Sequence, residues 1–148
     1  MKIKRFLAFA ILAVLFLCMS AHAQNKVPYS IRGDILNALS ASVQTFEGVF
    51  TNKSEKEVDS FTIVFFVFDQ DGNCPLKGRN NVVIRIDETV PANSAFSFSQ
   101  PLDDIFYNTD DSTAFEDELE YECEYLYVSR ISYSDGSEWS DPFGFEYF

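Results

Sequence analysis

Phe61 to Phe68, Phe-Thr-Ile-Val-Phe-Phe-Val-Phe, is an unbroken run of β-branched and aromatic residues without Gly or Pro, and it predicts a strand. Taken alternately, Phe61, Ile63, Phe65 and Val67 line one face. Ser60, Thr62, Val64, Phe66 and Phe68 line the other, which turns apolar only from Val64 onward. A strand covered on one side alone alternates more cleanly between apolar and polar. This one is therefore expected in the middle of a sheet, with one face in a sandwich core and the other partly covered by a loop, a terminal segment or a partner.

The flanking chain supplies further strands. Val27 to Arg32 suits an edge strand, where the missing N–H of Pro28 is tolerated, and Gly33 to Ser42 reads as a turn or a short helical piece. Val43 to Asn52 is the next strand, with Phe46, Gly48 and Phe50 on one side. Asp69-Gln-Asp-Gly-Asn73 ends the central strand. Its glycine and carboxylates do not fit the spacing of an EF-hand loop, whereas Asp-Gly is a strong turn signal. Val82 to Glu88 alternates well, Pro91-Ala-Asn-Ser94 is a turn, and Phe96 and Phe98 point one way in another half-buried strand. Those two strands lie close enough in sequence to pair as a hairpin. Glu122 to Ser134 is a long strand with large residues on both faces and an expected bend near Ser129, followed by an Asp135-Gly136 turn and a short last strand at Ser137 to Ser140. The reading is all-β: two layered antiparallel sheets of about seven strands.

Between the fifth and sixth of these strands lies an acidic insertion. Pro101 to Glu124 holds ten Asp or Glu and no Lys or Arg, so its charges repel one another and favour exposure. Thr113-Ala-Phe-Glu116 matches a capping box, which predicts a short helix over Ala114 to Glu120 within an acidic loop spanning 102–121.

The first residues have the order of a secretory signal peptide: basic Met1 to Arg5, uncharged Phe6 to Met19, then Ser20-Ala-His-Ala23, with cleavage expected after Ala23. The apolar run falls short of the roughly 20 residues a membrane span needs, so no stable span is expected after cleavage. Acylation of Cys18 is the alternative, in a membrane-anchored lipoprotein, but the large Leu17 before it favours the Ala-His-Ala site. Residues 24–148 then form a single domain, secreted or periplasmic. Removing Lys2, Lys4 and Arg5 takes the eleven basic residues to eight against 23 acidic ones, a net charge of 8 − 23 = −15. Such a chain lacks the basic face that nucleic acid or an anionic membrane surface requires. Cys74 and Cys123 remain, and an even pair in an exported chain is most simply a disulfide, the alternative being two free buried thiols.

Three segments carry a family likeness. Phe46-Glu-Gly-Val-Phe-Thr-Asn-Lys-Ser, Val64-Phe-Phe-Val-Phe-Asp-Gln-Asp-Gly-Asn and Pro91-Ala-Asn-Ser-Ala-Phe together resemble the bacterial FxLYD-type domains. Tyr133-Ser-Asp-Gly-Ser-Glu-Trp139 resembles the closing hairpin of similar small extracytoplasmic domains. The matched pieces cover about half of the chain after Ala23; Phe46 stands where a small aliphatic is commoner, and Asp103 to Glu124 has no counterpart. The resemblance implies an exported immunoglobulin-like antiparallel β-sandwich and no catalytic residues.

The residues agree on that last point. The only histidine, His22, leaves with the signal peptide, so no imidazole remains for a triad or a proton shuttle. Cys74 and Cys123 lack the C-x-x-C spacing of redox catalysis. No cofactor and no enzymatic activity are expected. The expected function is non-catalytic binding of a protein or an envelope component. Its candidate surface is Tyr125, Tyr127, Trp139, Phe143, Phe145 and Tyr147, aromatic types enriched at binding hot spots, unless these rings fill a second small core. Alternatives are weak calcium binding by Asp103, Asp104, Asp110, Asp111, Glu116, Asp117 and Glu118, and carbohydrate binding through exposed Tyr and Trp.

Overall fold

Each β-rich run of the sequence forms a strand in the structure, a computed structural model that describes residues 27–36, 44–76, 81–102 and 120–145. In chain order these are β1 Tyr29–Leu36, β2 Thr45–Asn52, β3 Val58–Asp69, β4 Asn81–Ile86, β5 Ala95–Pro101, β6 Tyr121–Tyr133 and β7 Glu138–Ser140. They make two antiparallel sheets, one in the order β1-β2-β5 and one in the order β4-β3-β6-β7. β3 has a neighbour on each side, as its doubly apolar sequence demands. In the immunoglobulin constant-type arrangement the fourth strand sits beside the fifth. Here it has moved to the other sheet, beside β3.

The hairpin expected between β4 and β5 does not form, because the two strands belong to opposite sheets. The connection is pulled across the end of the sandwich instead. Val58 and Val90 exchange backbone hydrogen bonds of 3.0 and 2.9 Å, and the Asn52 N–H then donates to the Ser94 carbonyl at 2.9 Å. The buried Asn52 side chain completes the corner. Its amide donates to the carbonyls of Lys56, Val90 and Pro91 at 2.8, 3.2 and 3.1 Å, and its oxygen accepts from the Ser54 N–H and hydroxyl at 3.0 and 2.7 Å. One side chain thus binds the β2–β3 loop to the β4–β5 connection.

Two phenylalanine pairs hold the layers together. Phe46 of β2 stacks on Phe65 of β3 with centroids 4.4 Å apart, and Phe50 stacks on Phe61 at 4.0 Å. All four rings are buried, and Phe98 of β5 leans against Phe46 and Phe61 at 5.9 and 5.8 Å. Glycine makes the room: a Cβ on Gly48 would stand 2.4 Å from the Phe98 ring, and one on Gly33 would stand 2.6 Å from both the Phe46 ring and the Glu47 carbonyl oxygen. That crowding corrects the reading of Gly33 as the start of a turn or helix. β1 runs straight through it to Leu36, with Gly33 directly opposite Gly48. The remainder of that expectation, from 37, lies outside the described residues. So do the expected signal peptide with Cys18 and the expected helix from Ala114, except its last residue, Glu120. Among the described residues, no helix is long and apolar enough to cross a membrane.

The sheets are also joined through the backbone. β7 ends at Ser140, opposite Arg130, so the β6 amide at Val128 lies beyond its last pair. The Tyr29 hydroxyl, reaching from β1, accepts that Val128 N–H at 3.0 Å, within a ring that is 1% exposed. Removing the hydroxyl leaves a buried donor unsatisfied, which costs about 1–3 kcal/mol. Tyr29→Phe is accordingly expected to lower the unfolding free energy by that amount, read from the urea midpoint at unchanged slope.

Candidate functional site

The outer face of the four-stranded sheet is set by the residues of β3 that alternate with its core positions. Val64 lies on this face and is 4% exposed, although it does not belong to the core between the sheets. Its cover is Tyr127, its register partner on β6, together with the chain that follows β7. Asp141 anchors that chain: its N–H donates to the Ser129 carbonyl at 3.0 Å, and its carboxylate accepts the Phe145 N–H at 3.1 Å. The Tyr127 hydroxyl donates to the Pro142 carbonyl at 3.1 Å. Gly144 has a φ of 72°, and a Cβ there would stand 3.1 Å from the Tyr127 ring, so only glycine lets the backbone lie on that ring. The resulting turn directs Phe143 and Phe145 outward, 70% and 81% exposed, with their rings 5.6 Å apart.

β6 is irregular on both sides of Tyr127. Between the pairs Val64↔Tyr127 and Phe66↔Glu124, β3 uses one residue where β6 uses two, and between Thr62↔Arg130 and Ile63↔Val128 the extra residue is Ser129. The second bulge is the bend the sequence places near Ser129. At the first, Tyr125 takes a φ of 53°, a left-handed conformation unfavourable for a bulky side chain. Bulges re-aim side chains. This one turns the Tyr125 ring, 60% exposed, to meet Phe66 edge-on at 5.7 Å.

The structure divides the six aromatics singled out in the sequence. Tyr127 is buried on the outer face under the tail turn, and Trp139 is half-buried against the core, packed edge-to-face on Tyr29 at 5.4 Å. Tyr125, Phe143 and Phe145 are surface, and Tyr147 lies outside the described residues. Phe66 was missing from the list, though its outward position follows from the alternation of β3. Glu124 and Glu122 stand opposite Phe66 and Phe68 and are exposed, giving the aromatic face an acidic border.

The remaining polar groups serve the framework. The Asp69 carboxylate accepts the N–H groups of Asp71 and Asn73 at 2.9 and 2.8 Å, and the hydrogen bond from Asn73 leads the causes that hold its pKa below the usual carboxylate value. This is the turn expected at Asp-Gly, with Gly72 at a φ of 79°. Asp135 is likewise held low, first by Lys56, whose Nζ is 2.8 Å away, then by Ser137. A shallow concavity of about 580 Å³ on the outer face of the three-stranded sheet is lined by Arg32, Asp34, Glu47 and Ser97 among others. Asp34 and Glu47 face each other there in register, exposed to water. Among the described residues no three His, Cys, Asp or Glu converge as metal ligands. The seven carboxylates considered for calcium, from Asp103 to Glu118, lie outside them.

The expected Cys74–Cys123 disulfide is not formed in this structure: no S–S bond joins the two residues, and both are half-buried against the core. Burial pushes the Cys123 thiol up to about 12, so at neutral pH it is a protonated, apolar filler rather than the thiolate that exchange requires.

No family model matches the chain, and no curated protein matches it. A hypothetical protein from Peptoclostridium difficile 630, solved by X-ray crystallography, is similar at 12% identity with a TM-score of 0.39, over 83% of this chain and 90% of that one.

Two outcomes follow from the local geometry. At Tyr125, replacement by Gly is expected to leave the protein about 1 kcal/mol more stable than replacement by Ala, since both lose the ring but only Ala keeps the strain; paired denaturant curves measure this. At Cys123, the folded chain at pH 8 is expected to alkylate about a thousandfold more slowly than the denatured chain, from a rise of the thiol from 9.0 to about 12. The contrast narrows as pH rises from 9.0 towards that value, because the unfolded thiol is already ionised while the folded one is still ionising. Peptide mapping after timed alkylation reads both rates.

Proposed function

We propose that this chain is an exported, non-catalytic binding module that holds a protein or envelope component on the outer face of its four-stranded sheet. The observation that carries the reading is the presentation of Phe143, Phe145 and Tyr125. A tail turn fixed by Asp141 and Gly144 and a bulge in β6 hold these large rings in water. Large rings held rigidly at a surface lose little side-chain freedom on binding.

The non-catalytic part of the proposal has its own support. Asp69, held by the Asn73 N–H of its turn, and Asp135, held first by Lys56 and then by Ser137, both have lowered pKa values, opposite to the rise a general acid near neutral pH requires. Export is supported by the basic, apolar and small-residue order of Met1 to Ala23. The proposed kinship with FxLYD-type domains draws on the meeting of Asn52 with Pro91 at one end of the sandwich, since two of the segments carrying the likeness join there.

Immobilised protein is expected to capture a component from the producing cell's envelope fraction. Its triple variant Tyr125→Ser, Phe143→Ser, Phe145→Ser is expected to lose that capture at least about thirtyfold, the scale of one hot spot, while melting as cooperatively as the parent. Equal capture by the two proteins would refute the proposal.

A further inference from the structure

The charge around the aromatic face states what kind of partner it suits. From Glu120 to Ser129, which takes in the half of β6 that carries Tyr125, the chain holds Glu120, Glu122 and Glu124 and no Lys or Arg. Glu122 and Glu124 sit on the rungs of Phe68 and Phe66 and are exposed, and Glu120, exposed at the start of β6, accepts the Gln70 amide at 3.0 Å. One rung further along, Tyr127 supports the turn that offers Phe143 and Phe145. The cations of this face lie at its other end: Arg85, which pairs with Asp87 at 2.6 Å and donates to the Ser60 hydroxyl at 3.1 Å, and Arg130 line a groove with Tyr127 and Pro142, so the carboxylates concentrate on the half that carries Tyr125.

Exposed aromatic faces bordered by carboxylates attract cations in two ways. A ring face attracts a guanidinium or ammonium through its quadrupole, and the carboxylates add direct charge pairing. Guanidinium gains more than ammonium, because it stacks flat on a ring while still forking to a carboxylate. A neutral or acidic partner would leave Glu122 and Glu124 uncompensated, and a second copy of this strongly acidic chain would bring like charge to the face.

We infer that the occupant of this face is an arginine-rich cationic segment of another protein, its guanidinium groups lying on Tyr125, Phe143 and Phe145 and pairing with Glu122 and Glu124. The inference rests on the proposed binding function and adds the chemistry of the partner.

The test uses the chain recovered after export, with fluorescent octa-arginine, octa-lysine and octa-glutamate as probes in anisotropy titrations at about 150 mM salt. Octa-arginine is expected to bind several-fold tighter than octa-lysine, and octa-glutamate not at all. Tyr125→Ser with Phe143→Ser and Phe145→Ser is expected to weaken octa-arginine about tenfold and to erase its advantage over octa-lysine. Glu122→Gln with Glu124→Gln is expected to weaken both cationic probes. Equal affinity for the two cationic peptides, indifferent to the aromatic variant, would mean that the acidic segment merely gathers counter-charge and would overturn the inference. Absence of octa-arginine binding alongside aromatic-dependent capture of an envelope component, whether a neutral protein or a glycan, would overturn the inference while leaving the binding function standing. Absence of both would end both.

Discussion

The stacking of Phe46 on Phe65 and of Phe50 on Phe61 is the contact on which this sandwich depends. Sheets facing each other lie about 10 Å apart, a gap that two large side chains from opposite faces fill. Aromatic pairs of this kind contribute about 0.5–1.5 kcal/mol beyond the apolar area they bury. More consequential is the registry they impose. The pairs run in opposite senses along β2 and β3, so sliding either strand by one residue would turn every ring to water. Gly33 and Gly48 belong to the same device, since a side chain at either would occupy the space of the Phe46 or Phe98 ring.

Once that layer is fixed, the polar groups at its boundaries have to be satisfied. The Tyr29 hydroxyl does this for the β6 backbone beyond β7, and Asn52 does it for the two loops crossing the lower end of the sheets. Both are buried polar side chains with their hydrogen-bonding capacity engaged, the condition under which burial of such groups stabilises a fold. A strand in the second sheet has different freedom. β6 contains two bulges, and these tolerate an unfavourable backbone at Tyr125 because β3 on one side holds the strand in place. The strain sits where the molecule shows rings to water. Irregularity and exposure coincide on the outer face of the β3–β6 pair, while β2 pairs regularly with β1 and β5 in the opposite sheet.

Much of this was written in the sequence. The doubly apolar pattern of Phe61 to Phe68 required neighbours on both sides of β3, the Asp-Gly pairs at Asp71 and Asp135 required turns, and a bend at Ser129 followed from large residues crowding both faces of β6. Other readings failed for reasons of distance along the chain. The proximity of β4 and β5 suggested a hairpin, but Phe96 and Phe98 pack beside Phe50 and Gly48 on the other sheet, and long-range burial outweighs short-range convenience. Gly33 looked like punctuation; it is a strand residue whose missing side chain gives way to Phe46. Two half-buried cysteines looked like a bridge; both pack against the core, and no S–S bond joins them in this structure.

Alternation, turn chemistry and charge are local properties of a chain, so the sequence alone determined an all-β sandwich, the positions of its strands and a strongly acidic character. Which aromatic rings are core and which are surface is not local. Tyr127 and Tyr125 are two residues apart on one strand and share its outer face, yet the first lies beneath Gly144 and the second stands in water, because the tail covers only one. That separation needed the tertiary structure, since it arises from segments that meet only when the chain has folded.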